Sequence, residues 1–273
     1  KLTSPVNVKE TVLNEDAKDN KTKDTLSGVL TTVIIVPFFL LIVTMVQMLG
    51  AEINDEKTSR GMEIIISSVP VKMHFASKVI SALSYVLIQG GLLFLYGFIA
   101  ILLRNVFVGS GTEGINGFFT NIINMLKDAG VFSLLAKGAI PLIILFVVSF
   151  ALYAIVAAIL ASMTTNNEDF QQLQTPLMII MMVGYYVALM AVVFDGALFI
   201  NILALIPMLS VMIAPTLYLL GEMSLVYLIV STAVTVIVTY IIYVYGLRIY
   251  KVGILNYSSS KLWRKMFKSL KQK

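Results

Sequence analysis

The residues able to carry chemistry are few and stand mainly between long apolar stretches. The densest group is the run Glu56-Lys57-Thr58-Ser59-Arg60-Gly61-Met62-Glu63-Ile64-Ile65-Ile66-Ser67-Ser68-Val69-Pro70-Val71. Read as one helix from about Asp55 to Ser67, it sets Glu56, Arg60 and Glu63 on one stripe at i, i+4 and i+7. Met62, Ile65, Ile66 and Val69 then form a second stripe. A helix so patterned can lie across a membrane surface, as an ordinary interfacial loop helix does, and ends at Pro70. The single histidine, His74, reads as an exposed loop residue. The chain has no HExxH, no phosphate-binding GxxxxGK[ST] and no cysteine, so zinc hydrolysis, a nucleotide loop of that kind and thiolate chemistry are excluded. Gly109-Ser110-Gly111-Thr112-Glu113-Gly114 fits G-x-G-x-x-G, but no βαβ unit can surround it between two spans, so it reads as a loop.

Composition dictates what holds these residues. Of 273 residues, 58% are hydrophobic and 13% charged, and the mean hydropathy is +0.91; a soluble domain carries about 25% charge. A water-soluble globular protein is excluded. Uncharged intervals run over 25–51, 79–103, 138–167, 170–194, 196–221 and 223–247. Each can cross ~30 Å of hydrocarbon as a helix of about 20 residues, whereas barrel strands would alternate over about 10. The fold class is an all-α polytopic membrane protein.

Membrane-spanning helices are expected at about 28–50, 79–103, 139–163, 177–194 and 223–247, with a polar loop over 52–77. Pro37 is expected to kink the first, and Pro176 suits the first turn of the fourth. The stretch 196–221 is interrupted by Gly196, Pro207 and Pro215 and reads as a re-entrant pair of short helices. Tyr240, Tyr243, Tyr245 and Tyr250 read as an aromatic belt at the last exit. Residues 28–250 form the transmembrane domain and 251–273 a basic tail. Residues 248–273 hold eight Lys/Arg and no acid, which places the C-terminus in the cytoplasm. Six crossings would put sixteen Lys/Arg inside and four outside; five crossings and a re-entrant segment give twelve against eight. Bare charge therefore favours six. In the tail, Leu262, Trp263, Met266, Phe267 and Leu270 share a helical face opposite Lys261, Arg264, Lys265 and Lys268, which suits an anionic bilayer surface better than nucleic acid.

The spans themselves hold no acid or base away from the interval ends, which disfavours a self-sufficient ion-coupled carrier. Their polar content is Gln47, Gln89, Tyr96, Ser149, Tyr153, Tyr185, Tyr186 and Asn201, a mixture of interhelix hydrogen-bonding groups and candidate translocation-path residues. Met178, Met181, Met182 and Met190 read as packing.

The string from Glu56 through Val71 to Val79 resembles the signature after the second membrane helix of ABC type-2 permeases, particularly the NatB/YhaP-like sodium-efflux branch. Leu247-Arg248-Ile249-Tyr250-Lys251-Val252-Gly253-Ile254-Leu255 is similar to that branch's closing string. Ile206-Pro207 through Ser210 to Ala214-Pro215 is similar to its segment between the last two helices. Where the branch often has Arg after the second proline, this chain has Thr216. The resemblance implies five spans plus the re-entrant segment. It also implies that residues 1–27 end an extracytoplasmic segment, with a first helix and an extracytoplasmic domain of such proteins lying before residue 1. By the same resemblance the protein is the permease subunit of an ABC exporter in a bacterial plasma membrane, with no cofactor of its own. It would pair with a second permease, identical or related, and bind an ABC ATPase subunit that holds ATP and magnesium. Glu56, Lys57, Arg60 and Glu63 would make polar contacts with that ATPase, and Met62, Ile65 and Ile66 would pack in its groove. A hydrophobic peptide, an antibiotic or a lipid-like molecule is the expected substrate ahead of sodium, because no carboxylate lies at membrane depth. The rival class is a non-transporting membrane protein, an intramembrane enzyme or assembly factor.

Overall fold

The computed structural model describes residues 28, 35–107, 123–124, 126–127, 130–164, 166–190 and 198–255. The expectations for residues 1–27, for the glycine-rich loop at 109–114 and for the tail residues Lys261, Trp263, Arg264, Lys265 and Lys268 lie outside them. The described residues form α1 (Val36–Thr58), α2 (Gly61–Ser68), α3 (Val71–Phe107), α4 (Val131–Met163), α5 (Asn167–Met190), α6 (Leu198–Leu203), α7 (Pro207–Leu219) and α8 (Leu225–Ile254). Five of them, α1, α3, α4, α5 and α8, are long and apolar enough to cross a membrane.

Helix α4 is the central one and packs against α8, α1, α3, α7 and α5. Of its most apolar window 61% is buried, against 17% for α3. The outer face of α3 carries Ile80, Leu87, Phe94 and Phe98, a surface suited to hydrocarbon. The close α4–α8 seam depends on Gly246: a Cβ there would stand 2.3 Å from Ile159. Without interhelix hydrophobic drive in lipid, such small-residue approach is what lets helices associate.

Side-chain bonds fix which helix ends lie together. The last turns of α1, α4 and α8 and the first turns of α3 and α5 meet at one end of the bundle. Because α5 starts there and α8 finishes there, the stretch between them starts and finishes at the opposite end. That stretch contains α6 and α7, joined by a corner at 204–206. Ser231 and Thr235 of α8 bond to Ala204 and Ser210 at this corner. Ser231 and Thr235 are six and ten residues into α8, so the corner and the first turn of α7 lie about 9 and 15 Å along that helix from its start. The 13 residues of α7 rise only about 20 Å and return to the same end, where the Tyr218 hydroxyl donates to Leu134 O at 2.9 Å. The expected pair of short helices is present as α6 and α7.

Several helix bounds differ from expectation. Helix α1 runs on to Thr58 and α3 starts at Val71, so most of the expected loop over 52–77 is helical. Pro37 stands at the second residue of the described part of α1, two residues after Ile35, whose backbone is π-helical. Pro176 is interior to α5, which begins nine residues earlier at Asn167. There Glu168 and Asp169 stand in the first turn, as the helix dipole favours. Tyr250 is not part of an exposed belt: it is buried against Phe75, at 4.6 Å between ring centres.

Candidate functional site

The sequence 52–78 folds as helix, corner, helix, proline, helix. Ser59 caps the last turn of α1 through its hydroxyl to Asp55 O at 2.7 Å. Arg60 then takes the left-handed backbone (φ 57°), and α2 begins at Gly61. Val69 is extended, as a residue before proline must be, and Pro70 separates α2 from α3. The expected proline stop is there, but the expected single helix is not. Glu56 belongs to α1, while Arg60 and Glu63 lie at and beyond the corner, so the three do not form one stripe.

The corner sorts the expected docking residues into two groups. Arg60, Glu63 and Ile64 are exposed, Ile65 and Ile66 half-buried. Ile64, 72% exposed beside Glu63, is an outward apolar group that helical spacing alone had not singled out. Lys57 and Met62 are buried and face the bundle, so neither can meet a partner. The Lys57 ammonium donates to Ser162 O at 2.6 Å and to Gly253 O at 2.8 Å, carbonyls in the last turns of α4 and α8. Two helix C-termini present partial negative charge, which is why a cation is tolerated there. A Cβ at residue 253 would stand 2.5 Å from Ser162 Oγ, so glycine is what admits this approach.

Behind α2 runs a connected polar chain. Lys78 donates to Glu52 Oε1 and Glu56 Oε1, both at 2.6 Å. Glu56 Oε2 pairs with His74 Nε2 at 3.2 Å, and the Tyr250 hydroxyl meets His74 Nδ1 at 3.0 Å. His74 is 5% exposed, so its reading as an exposed loop residue is corrected: it joins α1, α3 and α8. Asn54 adds α5 and α4 by donating to Asn166 O and accepting from Thr164. Charged groups in reduced dielectric interact strongly, and each is satisfied here by a partner on another helix.

The candidate path residues do not converge. Gln47 of α1 accepts from Gln171 of α5 at 3.1 Å. Tyr153 is buried and donates to Met208 O at 2.5 Å, tying α4 to α7. Ser149 is buried with an unpaired hydroxyl among the described residues. Tyr185 packs on Phe39 and Tyr186. Gln89 is half-buried and Tyr96 exposed on α3, and Asn201 is half-buried on α6. Gln171 and Gln174, which bond to each other at 2.6 Å, were missed because their stretch had been read as a loop. Among the described residues no group of His, Cys, Asp and Glu could hold a metal ion.

Comparison with known proteins gives these features a context. The curated protein named Uncharacterized protein YhaP, of Bacillus subtilis (strain 168), is 28% identical over 271 residues, 99% of this chain. The chain spans only 61% of that relative's length. No solved structure matches. The family model for the ABC-2 family transporter protein matches residues 2–245. With five helices able to cross a membrane and a match over most of its length, the chain belongs to the ABC-2 transporter family, as a multi-pass membrane component.

Proposed function

We propose that the protein is the permease subunit of an ATP-driven exporter, working with a separate ABC ATPase and a second permease of the same or a related sequence. The observation that carries this reading is α2. It stands at one end of the bundle between a left-handed corner and a proline stop, with Arg60, Glu63 and Ile64 outward. The ATPase would take that face, and ATP and magnesium would be held on the ATPase. Movement of α2 would pass through the corner to Glu56 and Lys57, and from them to α3, α4 and α8. The bundle would then shift between two states of different access.

The end carrying α2 is the cytoplasmic end in this reading, and the C-terminus lies with it in a bacterial plasma membrane. Lys57, Arg60, Lys72, Lys78, Arg248 and Lys251 all stand at that end, as the preference of cytoplasmic segments for Lys and Arg would have it. The α6–α7 pair then dips in from outside. The substrate is a hydrophobic peptide, an antibiotic or a lipid-like molecule rather than sodium. Stripping water from a small cation requires several well-placed oxygens, and no acid among the described residues lies at mid-membrane.

Purification from native membranes tests the reading directly: an ABC ATPase should accompany the chain. Glu63→Arg should release the ATPase and abolish transport while the variant still inserts in the membrane. Normal transport by Glu63→Arg would remove α2 from the coupling role, and absence of any ATPase would favour a non-transporting protein.

A further inference from the structure

His74, the one histidine of the chain, lies buried in the first turn of α3 with each ring nitrogen bonded to a different helix. Its Nε2 stands 3.2 Å from Glu56 Oε2 of α1 and its Nδ1 3.0 Å from the Tyr250 hydroxyl of α8. A carboxylate only accepts, and Glu56 already accepts from Lys78, so Nε2 carries the proton of its bond. Tyr250 is fully buried under Phe75, and among the described residues its hydroxyl has His74 as its hydrogen-bond partner. The hydroxyl therefore donates and Nδ1 accepts, which is the bonding of a neutral imidazole.

A second proton reverses one of these bonds. In the imidazolium both nitrogens donate. The bond to Glu56 gains charge and strengthens, while Nδ1–H turns on the tyrosine oxygen and leaves the tyrosine proton buried without an acceptor. The helices packed against α3 are α4, α1 and α8. Helix α1 faces the ring with Glu56, next to Glu52; Lys78 of α3 itself bridges both carboxylates; α8 faces it with Tyr250. Lys57 of α1 is turned to the carbonyls of Ser162 and Gly253, and the titratable groups of α4, Lys137 and Tyr153, stand well before its last turn. Lys72, Arg248 and Lys251 are exposed. In the bonded chain two carboxylates face one lysine, so a cation at His74 balances it. Histidine changes charge between about pH 5 and 8.

We propose that His74 is a proton-operated joint between helices: neutral, it ties α3 to both α1 and α8, and protonated, it holds α1 and releases α8. Glu56 stands four residues before the corner at Arg60, so the joint lies between α2 and the end of α8, and acidification would loosen what α2 passes on. That last meaning rests on the exporter reading; the joint itself does not.

A single histidine makes the test direct. In the full chain carrying isotope-labelled histidine in detergent, both ring-nitrogen resonances belong to His74. At about pH 8 they should show a protonated Nε2 and a bare, hydrogen-bonded Nδ1, and by about pH 5 both should be protonated. Backbone hydrogen exchange over residues 246–254, corrected for its intrinsic rate, should be several-fold faster at the lower pH, the change that one lost hydrogen bond makes. This pH response should vanish in His74→Gln, which cannot take up the proton, and in Tyr250→Phe, which has no hydroxyl to release. A protonated Nδ1 at the higher pH, nitrogens unchanged at the lower, or exchange in α8 that ignores pH would each overturn the joint. So would a response that persists in His74→Gln, which would put the proton on Glu56. A titrating His74 in a chain that copurifies with no ATPase would keep the joint and remove the exporter. An ATPase partner beside a His74 that does not titrate would do the reverse.

Discussion

The two ends of the bundle are held together by different chemistry. At the end that carries α2, charged and amide side chains join five helices: Lys57 holds α4 and α8, Lys78 bridges two carboxylates, and His74 links Glu56 to Tyr250. Where α6 and α7 pack, neutral hydroxyls donate to backbone carbonyls: Tyr218 to Leu134, Tyr153 to Met208, Ser231 to Ala204. Hydroxyl bonds between membrane helices are individually small, averaging about 0.6 kcal/mol, so packing does most of the fixing there. Charge-assisted bonds are stronger and depend on the groups around them. The helices are thus tied through a connected charged network in one part and through packing and single hydroxyl bonds in the other.

The sharpest break of this comparison is topological. Cysteines placed singly at Asp195 and at Glu222 should react with an impermeant thiol reagent from one side only, and a cysteine at Ser67 only from the other. Labelling of Asp195 and Glu222 from opposite sides would mean that α6–α7 crosses and would dissolve the contrast between ends. Next in size is Lys57→Met, which removes a buried cation from the carbonyls of Ser162 and Gly253 at a cost of about 1–3 kcal/mol. The variant should unfold at clearly lower temperature, and Lys57→Arg should recover part of the loss. Within the polar chain, Glu56→Gln should cost about 1–3 kcal/mol and Glu52→Gln about 0–1, because the Glu52 side chain is 43% exposed and that of Glu56 24%. Equal losses would mean that burial does not grade this network. Where α6 and α7 pack, Tyr153→Phe should cost about 1 kcal/mol, unchanged between low and high salt, whereas the Glu56 loss should shrink as salt rises. Smallest is Arg60→Gly, which should stabilise by up to about 1 kcal/mol by relieving the left-handed backbone; a loss instead would give the exposed Arg60 side chain a structural role.

The long apolar helices were legible because hydrocarbon imposes a length and forbids charge, and both leave a mark on every window of sequence. Helix ends were less so. Tertiary contact extends α1 past Glu52 and begins α5 before Pro176, since charged residues near a helix end are tolerated once another helix supplies their partner. The short pair α6–α7 was readable from Pro207, which opens α7, whereas Pro215 lies inside that helix and does not divide it. Which residues of 56–69 face outward was half legible. Helical spacing assumes one unbroken axis, and the corner at Arg60 turns Lys57 and Met62 inward while leaving Glu63 and Ile64 outward.

The sequence by itself determined that this is a helical membrane protein, where its apolar helices lie, that Pro70 must end a helix, and that no metal or nucleotide motif of the searched kinds is present. These follow from local rules: hydropathy over about 20 residues, the restricted backbone before proline, the spacing that ligand motifs require. Only the tertiary structure decided the fate of single polar residues. His74 and Lys57 look as free in sequence as Arg60, and Gln174 looks like part of a loop. Residues 105 to 196 positions away in the chain, Ser162 and Gly253, supply the oxygens that make Lys57 a buried structural cation. A polar group's role in a membrane helix is set by which partner stands across from it, and that is a property of the packed bundle alone.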